Sequence, residues 1–216
     1  MSGATRDNMT ILAPPDAATL ERAAELLRHG GLVAYPTDTV YGLAADPRND
    51  EAVRKLFEAK GREPEQSVPL LFASPQDLAY VVADVPDVAL GLLREFWPGP
   101  LTIVLPKAQR FRSRAVVGET VAVRVPDHPV PRELVRLLGA PITGTSANVS
   151  GEPEPVTADD VRAQLGDAVD LVIDGGRCAG GRPSTVVDCT VSPPRIVREG
   201  AISREELVRA AGAKFD

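Results

Sequence analysis

The chain of 216 residues has two cysteines, two histidines and one tryptophan, and aromatic residues make up only 4% of it. Cys178 and Cys189 are too few for a disulfide framework or a four-cysteine zinc site, so they read as free thiols of a reducing compartment. His29 falls at a helix end and His128 in a proline-flanked turn; both read as structural, which leaves a Ser/His/Asp hydrolase without its base. Gly144-Thr145-Ser146-Ala147-Asn148 approaches a nucleophile elbow, but Asn148 stands where the second glycine belongs. No apolar run exceeds the segment 78–83, against the roughly 20 residues of a membrane helix. The N-terminal MSGATRDN lacks a secretory pattern. The expected location is therefore the cytoplasm, with no membrane partner. GxxxxGK[ST], HExxH and CxxC are absent, and the glycine-rich segment 175–181 leads into a strand-like stretch, so the standard nucleotide folds are not signalled.

A net charge of −6 excludes a protein whose main work is holding nucleic acid by bulk charge. One basic stretch remains: Lys107, Arg110, Arg112, Arg114 and Arg124, with Glu119 the single acid among them. A solvated basic loop is its plain reading and an anion or RNA contact the sharper one.

What the chain has in quantity is proline (20) and glycine (18), spread along its length as punctuation between short apolar segments. That is turn chemistry within an α/β domain. Helix starts are marked at Asp16, Asp50, Ser74, Thr157 and Ser203, and a further helix spans 130–138 before Gly139. Strands are expected at 32–35, 68–72, 101–105, 120–125, 141–145, 171–173, 185–188 and 195–198. Helices alternate with strands early and strands crowd together late. This favours a twisted open mixed sheet flanked by helices, with a ligand cavity at the strand ends. A loose tail over 1–11 and one domain over 12–216 complete the expected organisation.

Short polar clusters sit at those strand ends. Tyr35–Leu43 follows the first strand and, taken alone, reads as a turn capped by Asp38. Lys60-Gly61-Arg62 closes a helix, where cations complement the macrodipole. Arg124 ends a strand whose alternation puts Thr120, Ala122 and Arg124 on one face. Ser184 and Arg198 stand at two further ends. Each has a structural explanation; together, several cations, small hydroxyls and an amide equip a site for a polyphosphate and a carboxylate. Phosphoryl or nucleotidyl transfer requires little beyond positioning and charge neutralisation.

The motifs YPTDTVYGL (35–43), Lys60-x-Arg62, FWPGPL (96–101), VRVP (123–126), Ser146-x-Asn148, STVVD (184–188) and REGAI (198–202) occur in the order found in the YrdC/Sua5 family, which the chain resembles from about residue 12 to 210. The resemblance implies the short, single-domain form of an L-threonylcarbamoyladenylate synthase, a nucleotidyltransferase. Such an enzyme joins L-threonine, bicarbonate and ATP with Mg²⁺, releases pyrophosphate, and feeds the threonylcarbamoyl modification of tRNA through downstream transferase proteins, with room for a tRNA contact of its own. It further implies Lys60 and Arg62 as catalytic residues, threonine contacts at Thr39, Arg124 and Ser184, and ATP contacts at Lys60, Arg62, Thr120, Ser146, Asn148 and Arg198. The chain departs from the family pattern where Glu63 precedes Pro64 and where no histidine follows Pro69-Leu70. A YrdC-like RNA-binding module, or a paralogue without threonine-dependent activity, is the alternative.

Overall fold

The computed structural model describes residues 11–62 and 66–216. The expected tail, apart from residue 11, and the departure at Glu63 lie outside them. Strands β1 (Ile11–Ala13), β2 (Val33–Tyr35), β3 (Gly42–Ala44), β4 (Leu70–Leu71), β5 (Leu101–Pro106), β6 (Thr120–Arg124), β7 (Ile142–Thr143), β8 (Thr145–Ser146), β9 (Leu171–Ile173), β10 (Thr185–Asp188) and β11 (Arg195–Arg198) form a mixed α/β structure. They are shared between two sheets, ordered β1-β9-β2-β3-β8 and β11-β10-β5-β6-β4-β7. Both sheets mix parallel and antiparallel pairs: β2 runs parallel to β9 and antiparallel to β3, while β10 runs parallel to β5 and antiparallel to β11.

Among the described residues six α-helices cover the sheets: α1 (Ala17–Arg28), α2 (Asp50–Ala59), α3 (Asp87–Phe96), α4 (Pro129–Leu138), α5 (Ala158–Leu165) and α6 (Arg204–Ala211). Asp16, Thr157 and Ser203 cap their helices as expected, and Gly139 ends α4 in a left-handed conformation. Asn49 rather than Asp50 caps α2, its Oδ1 accepting from the amides of Glu51 and Ala52. The Ser74 signal starts only a 3-10 turn, Pro75–Tyr80. Helix α3 carries no side-chain cap, and its Gly91 lets the Ala210 carbonyl of α6 pass 3.3 Å from where a Cβ would stand. These two features hid it from sequence patterning.

Strand alternation explains how the layers bury. In β2 and β9, Ala34 and Val172 face a core shared with Ile103, Leu105, Val121 and Val123 of the second sheet. Their neighbours Val33, Tyr35, Leu171 and Ile173 face the other way, against Ala23 and Leu27 of α1 and Leu134 and Leu138 of α4. The expected strand over 141–145 is divided: β7 pairs with β4 in the six-stranded sheet and β8 with β3 in the five-stranded one. Gly144 makes the crossing, with its amide on the Pro69 carbonyl (2.7 Å) and a Cβ position only 2.6 Å from the Leu71 side chain. The chain thus passes between sheets where a side chain would not fit, and the cavity opens there.

Candidate active site

A cavity of about 370 Å³ lies across the ends of both sheets, within the size range of small-molecule sites. Thr39, Lys60, Arg62, Arg124, Ser146, Asn148, Ser184 and Arg198 all line it. Thr120 does not: it is exposed at the opposite end of β6, roughly 13 Å along the strand from Arg124. Its expected nucleotide contact has no counterpart in this cavity.

Lys60 follows the last residue of α2 and is 3% exposed. Its ammonium donates to the carbonyls of Ser146 (2.5 Å) and Asn148 (2.8 Å) and to Asn148 Oδ1 (3.3 Å), so all three N–H groups are spent on the Ser146–Asn148 segment. The Asn148 amide in turn donates to the carbonyls of Val149 and Glu152. Burial, aided by neighbouring Arg62, pulls Lys60 down to about 8, with Glu154 opposing. Arg62 donates through Nε to Gln66 Oε1 at 2.8 Å.

Arg124 is 6% exposed. It donates from Nε to the Gly99 carbonyl (3.0 Å), from one terminal nitrogen to Thr39 Oγ1 (3.1 Å) and from the other to Asp38 Oδ1 (2.5 Å). Gly99 belongs to the FWPGPL loop, fixed by its own amide on the Val125 carbonyl and by Trp97 Nε1 on the Leu101 carbonyl. Thr37 Oγ1 donates to the Val40 carbonyl, so the 2.9 Å contact between the two hydroxyls makes Thr39 the donor to Thr37. Thr39 therefore accepts from Arg124 while its second lone pair stays available.

The turn at 36–40 is capped by Thr37, whose Oγ1 accepts the Thr39 amide, and not by Asp38 as the sequence suggested. Tyr41 anchors the turn by donating to the Gly176 carbonyl at 2.8 Å; burial pushes its hydroxyl up to about 12. On the far wall Arg198 folds back onto the carbonyl and hydroxyl of Ser184, and Ser184 Oγ meets Thr102 Oγ1 at 2.8 Å. Thr185 and Ile202 exchange hydrogen bonds that lace the STVVD and REGAI segments together.

Gly200 is what lets those segments touch. A Cβ there would stand 2.4 Å from the Pro183 carbonyl, 2.5 Å from Ser184 C and 2.6 Å from the Thr185 amide nitrogen, all backbone atoms. Gly200→Ala must therefore displace Ser184, at a cost of about 2–3 kcal/mol. A thermal midpoint lower by roughly 5–10 °C is the expected result in a melting experiment.

Sequence patterning missed four participants. Asp38 and the Gly99 carbonyl meet Arg124 only through long-range folding; Thr37 is recognisable in retrospect from a Thr-x-Thr pair in a turn; and Glu154, a cavity-lining carboxylate, had no local signal. The basic stretch does not form one face. Arg124 is buried, Arg114 pairs with Asp50 (3.3 Å), Arg112 bonds the Gln109 carbonyl, and Arg110 lies over the Tyr80 ring at 5.9 Å. His128 caps α4 by accepting the Val130 amide, and both cysteines are free and buried.

Four cations, paired hydroxyls and an amide thus converge on one cavity of a mixed α/β fold. The Sua5/YciO/YrdC family model, described as "Telomere recombination", matches residues 25–200, and the chain belongs to that family. It is 41% identical over 192 residues to a threonylcarbamoyl-AMP synthase of Pyrococcus abyssi, covering 88% of this chain and 56% of that one. It is 40% identical to a putative threonylcarbamoyl-AMP synthase of Mycobacterium tuberculosis, covering 88% of each. The crystal structure of P. abyssi Sua5 complexed with L-threonine matches with a TM-score of 0.87 at 36% identity, over 96% of this chain and 62% of that one. The chain thus spans little more than half the length of the Pyrococcus relative. Among the described residues no helix is long and apolar enough to cross a membrane.

Proposed function

We propose that this chain is a threonylcarbamoyl-AMP synthase, a nucleotidyltransferase that forms L-threonylcarbamoyladenylate and pyrophosphate from L-threonine, bicarbonate and ATP. The observation that carries the reading is Arg124, buried at a strand end with three of its five N–H donors engaged and two left for a carboxylate, beside hydroxyls and opposite three further cations. The threonine-bound relative and the synthase names of the relatives support it.

In this reading the two remaining Arg124 donors hold the threonine carboxylate, and Thr39 and Ser184 bond its hydroxyl or amine. The amine captures CO₂ derived from bicarbonate to give a carbamate. A carbamate oxygen then bonds to the α-phosphorus of ATP while the bond from that phosphorus to the bridging oxygen breaks, and pyrophosphate leaves. Lys60, Arg62 and Arg198 offset the phosphate charge, and the walls exclude the water that would compete as nucleophile. Glu154 is a carboxylate on the cavity wall, and no cluster of three or more metal-ligating side chains occurs among the described residues. That donor set fits Mg²⁺ carried in on the phosphates, with Glu154 as its protein ligand. Bound there, the ion would neutralise charge on the triphosphate. The product would pass to tRNA-modifying transferase proteins.

Pyrophosphate release from ATP should require both L-threonine and bicarbonate. Release that proceeds without threonine, or equally well with unrelated amines, would refute the assignment.

A further inference from the structure

Asp38 has an unusual position for a turn residue. Thr37 supplies the hydroxyl that caps the turn, so the carboxylate is not needed for it. Only 14% of its side chain is exposed, its Oδ1 is committed to Arg124, and its Oδ2 is buried without a hydrogen-bond partner among the described residues. A carboxylate buried with one oxygen unsatisfied is costly, and a buried ion pair by itself is weak evidence for stability. Among the described residues Lys60, Arg62 and Arg198 line the same cavity with no carboxylate within ion-pair distance, and Arg124 alone has one.

The three acceptors on Arg124 come from different segments: Gly99 on the FWPGPL loop, and Thr39 and Asp38 on the turn after β2. Gly99 and Thr39 hold one side of the guanidinium. The guanidinium is a rigid plane, so Asp38 supplies a third anchor on its far edge; without it the whole group can tilt about the Gly99 and Thr39 contacts. We propose that Asp38 is a positioning residue that fixes the plane of Arg124, so that its two remaining N–H donors present a fork to the amino-acid carboxylate. Asp38 thereby sets affinity for the amino acid and not for the nucleotide. The inference rests on the proposed threonine role of Arg124, and its test separates the two.

Pyrophosphate release would be measured with threonine and ATP varied separately for the wild type, Asp38→Asn, Asp38→Ala and Arg124→Ala, together with calorimetric binding of L-threonine. Asp38→Ala should raise the KM for threonine by about 10–100-fold, the range found when the partner orienting a contacting group is removed. Asp38→Asn, which keeps the Oδ1 acceptor and the shape, should recover most of that loss. The KM for ATP should stay within about twofold in both variants. If Arg124→Ala raises the threonine KM while both Asp38 variants leave it unchanged, the positioning role is wrong and the reading of Arg124 stands. If Arg124→Ala leaves it unchanged too, the underlying reading fails. A parallel rise in both KM values for the Asp38 variants would mark a general structural role and overturn the proposal. Should Asp38→Ala not fold, calorimetry on Asp38→Leu, which fills the site and removes both acceptors, decides: a threonine affinity about tenfold or more below wild type with ATP affinity kept supports the proposal, and a threonine affinity equal to wild type overturns it.

Discussion

Lys60→Met is expected to cut threonine-dependent pyrophosphate release at least about 100-fold, mainly through nucleotide affinity and turnover, while calorimetric threonine binding changes little. Every Lys60 donor ends on Ser146 or Asn148, so the side chain clips the end of α2 to the segment that the proposed function sets beside the nucleotide. Methionine fills the volume but strips the donor from two buried acceptors on Asn148, each worth about 1–3 kcal/mol, and from the part-buried Ser146 carbonyl. The segment then relaxes away from its catalytic spacing.

The same clip carries a pH signature. Lys60 is pulled down to about 8 by burial and Arg62. As pH rises through that value the ammonium loses a proton, and two N–H groups cannot serve three acceptors. The KM for ATP should therefore rise above about pH 8 in the wild type, and Lys60→Met should lack this limb. Stability moves in the opposite sense. Between about pH 8 and the ordinary lysine value the unfolded chain binds more protons at this group than the folded one, so this group's contribution to stability rises with pH across that window. Activity that falls while the melting temperature holds or climbs distinguishes loss of the clip from alkaline unfolding.

The second large effect concerns Arg124→Ala. It should abolish measurable threonine binding and also destabilise the protein, because Asp38 is left as a buried, unpaired carboxylate. Breaking such a pair from one side costs about 3–5 kcal/mol, which lowers the melting temperature by roughly 10 °C in a chain of this size. Adding Asp38→Asn to Arg124→Ala should restore much of the melting temperature without restoring threonine binding. Recovery of both would mean that Arg124 acts through stability alone.

Much of this geometry was legible beforehand. Lys60, Arg62, Arg124, Ser184 and Arg198 stand out as polar residues at element ends, Ser146 and Asn148 through the family resemblance alone, and all of them line one cavity. What escaped has definite physical causes. Asp38 reads locally as a turn residue, and its partner lies 86 positions away. The Gly99 carbonyl has no side-chain signature. Strand β3 is hidden because Gly42, where a Cβ would stand 2.5 Å from the Tyr35 ring, resembles turn punctuation. Strands β7 and β8 read as one because nothing in apolar spacing reports which sheet a residue joins.

That crossing at Gly144 fixes where the site can be tuned. Arg124, Ser184 and Arg198 ride on the six-stranded sheet, whereas Thr39 and Ser146 ride on the five-stranded one. The side chains between the sheets, among them Ala34, Val172, Ile103 and Val123, therefore act as a caliper whose jaws are the two halves of the cavity. A methylene gained or lost there, away from the cavity, resets the distance between Arg124 and Thr39, which face each other from the two sheets.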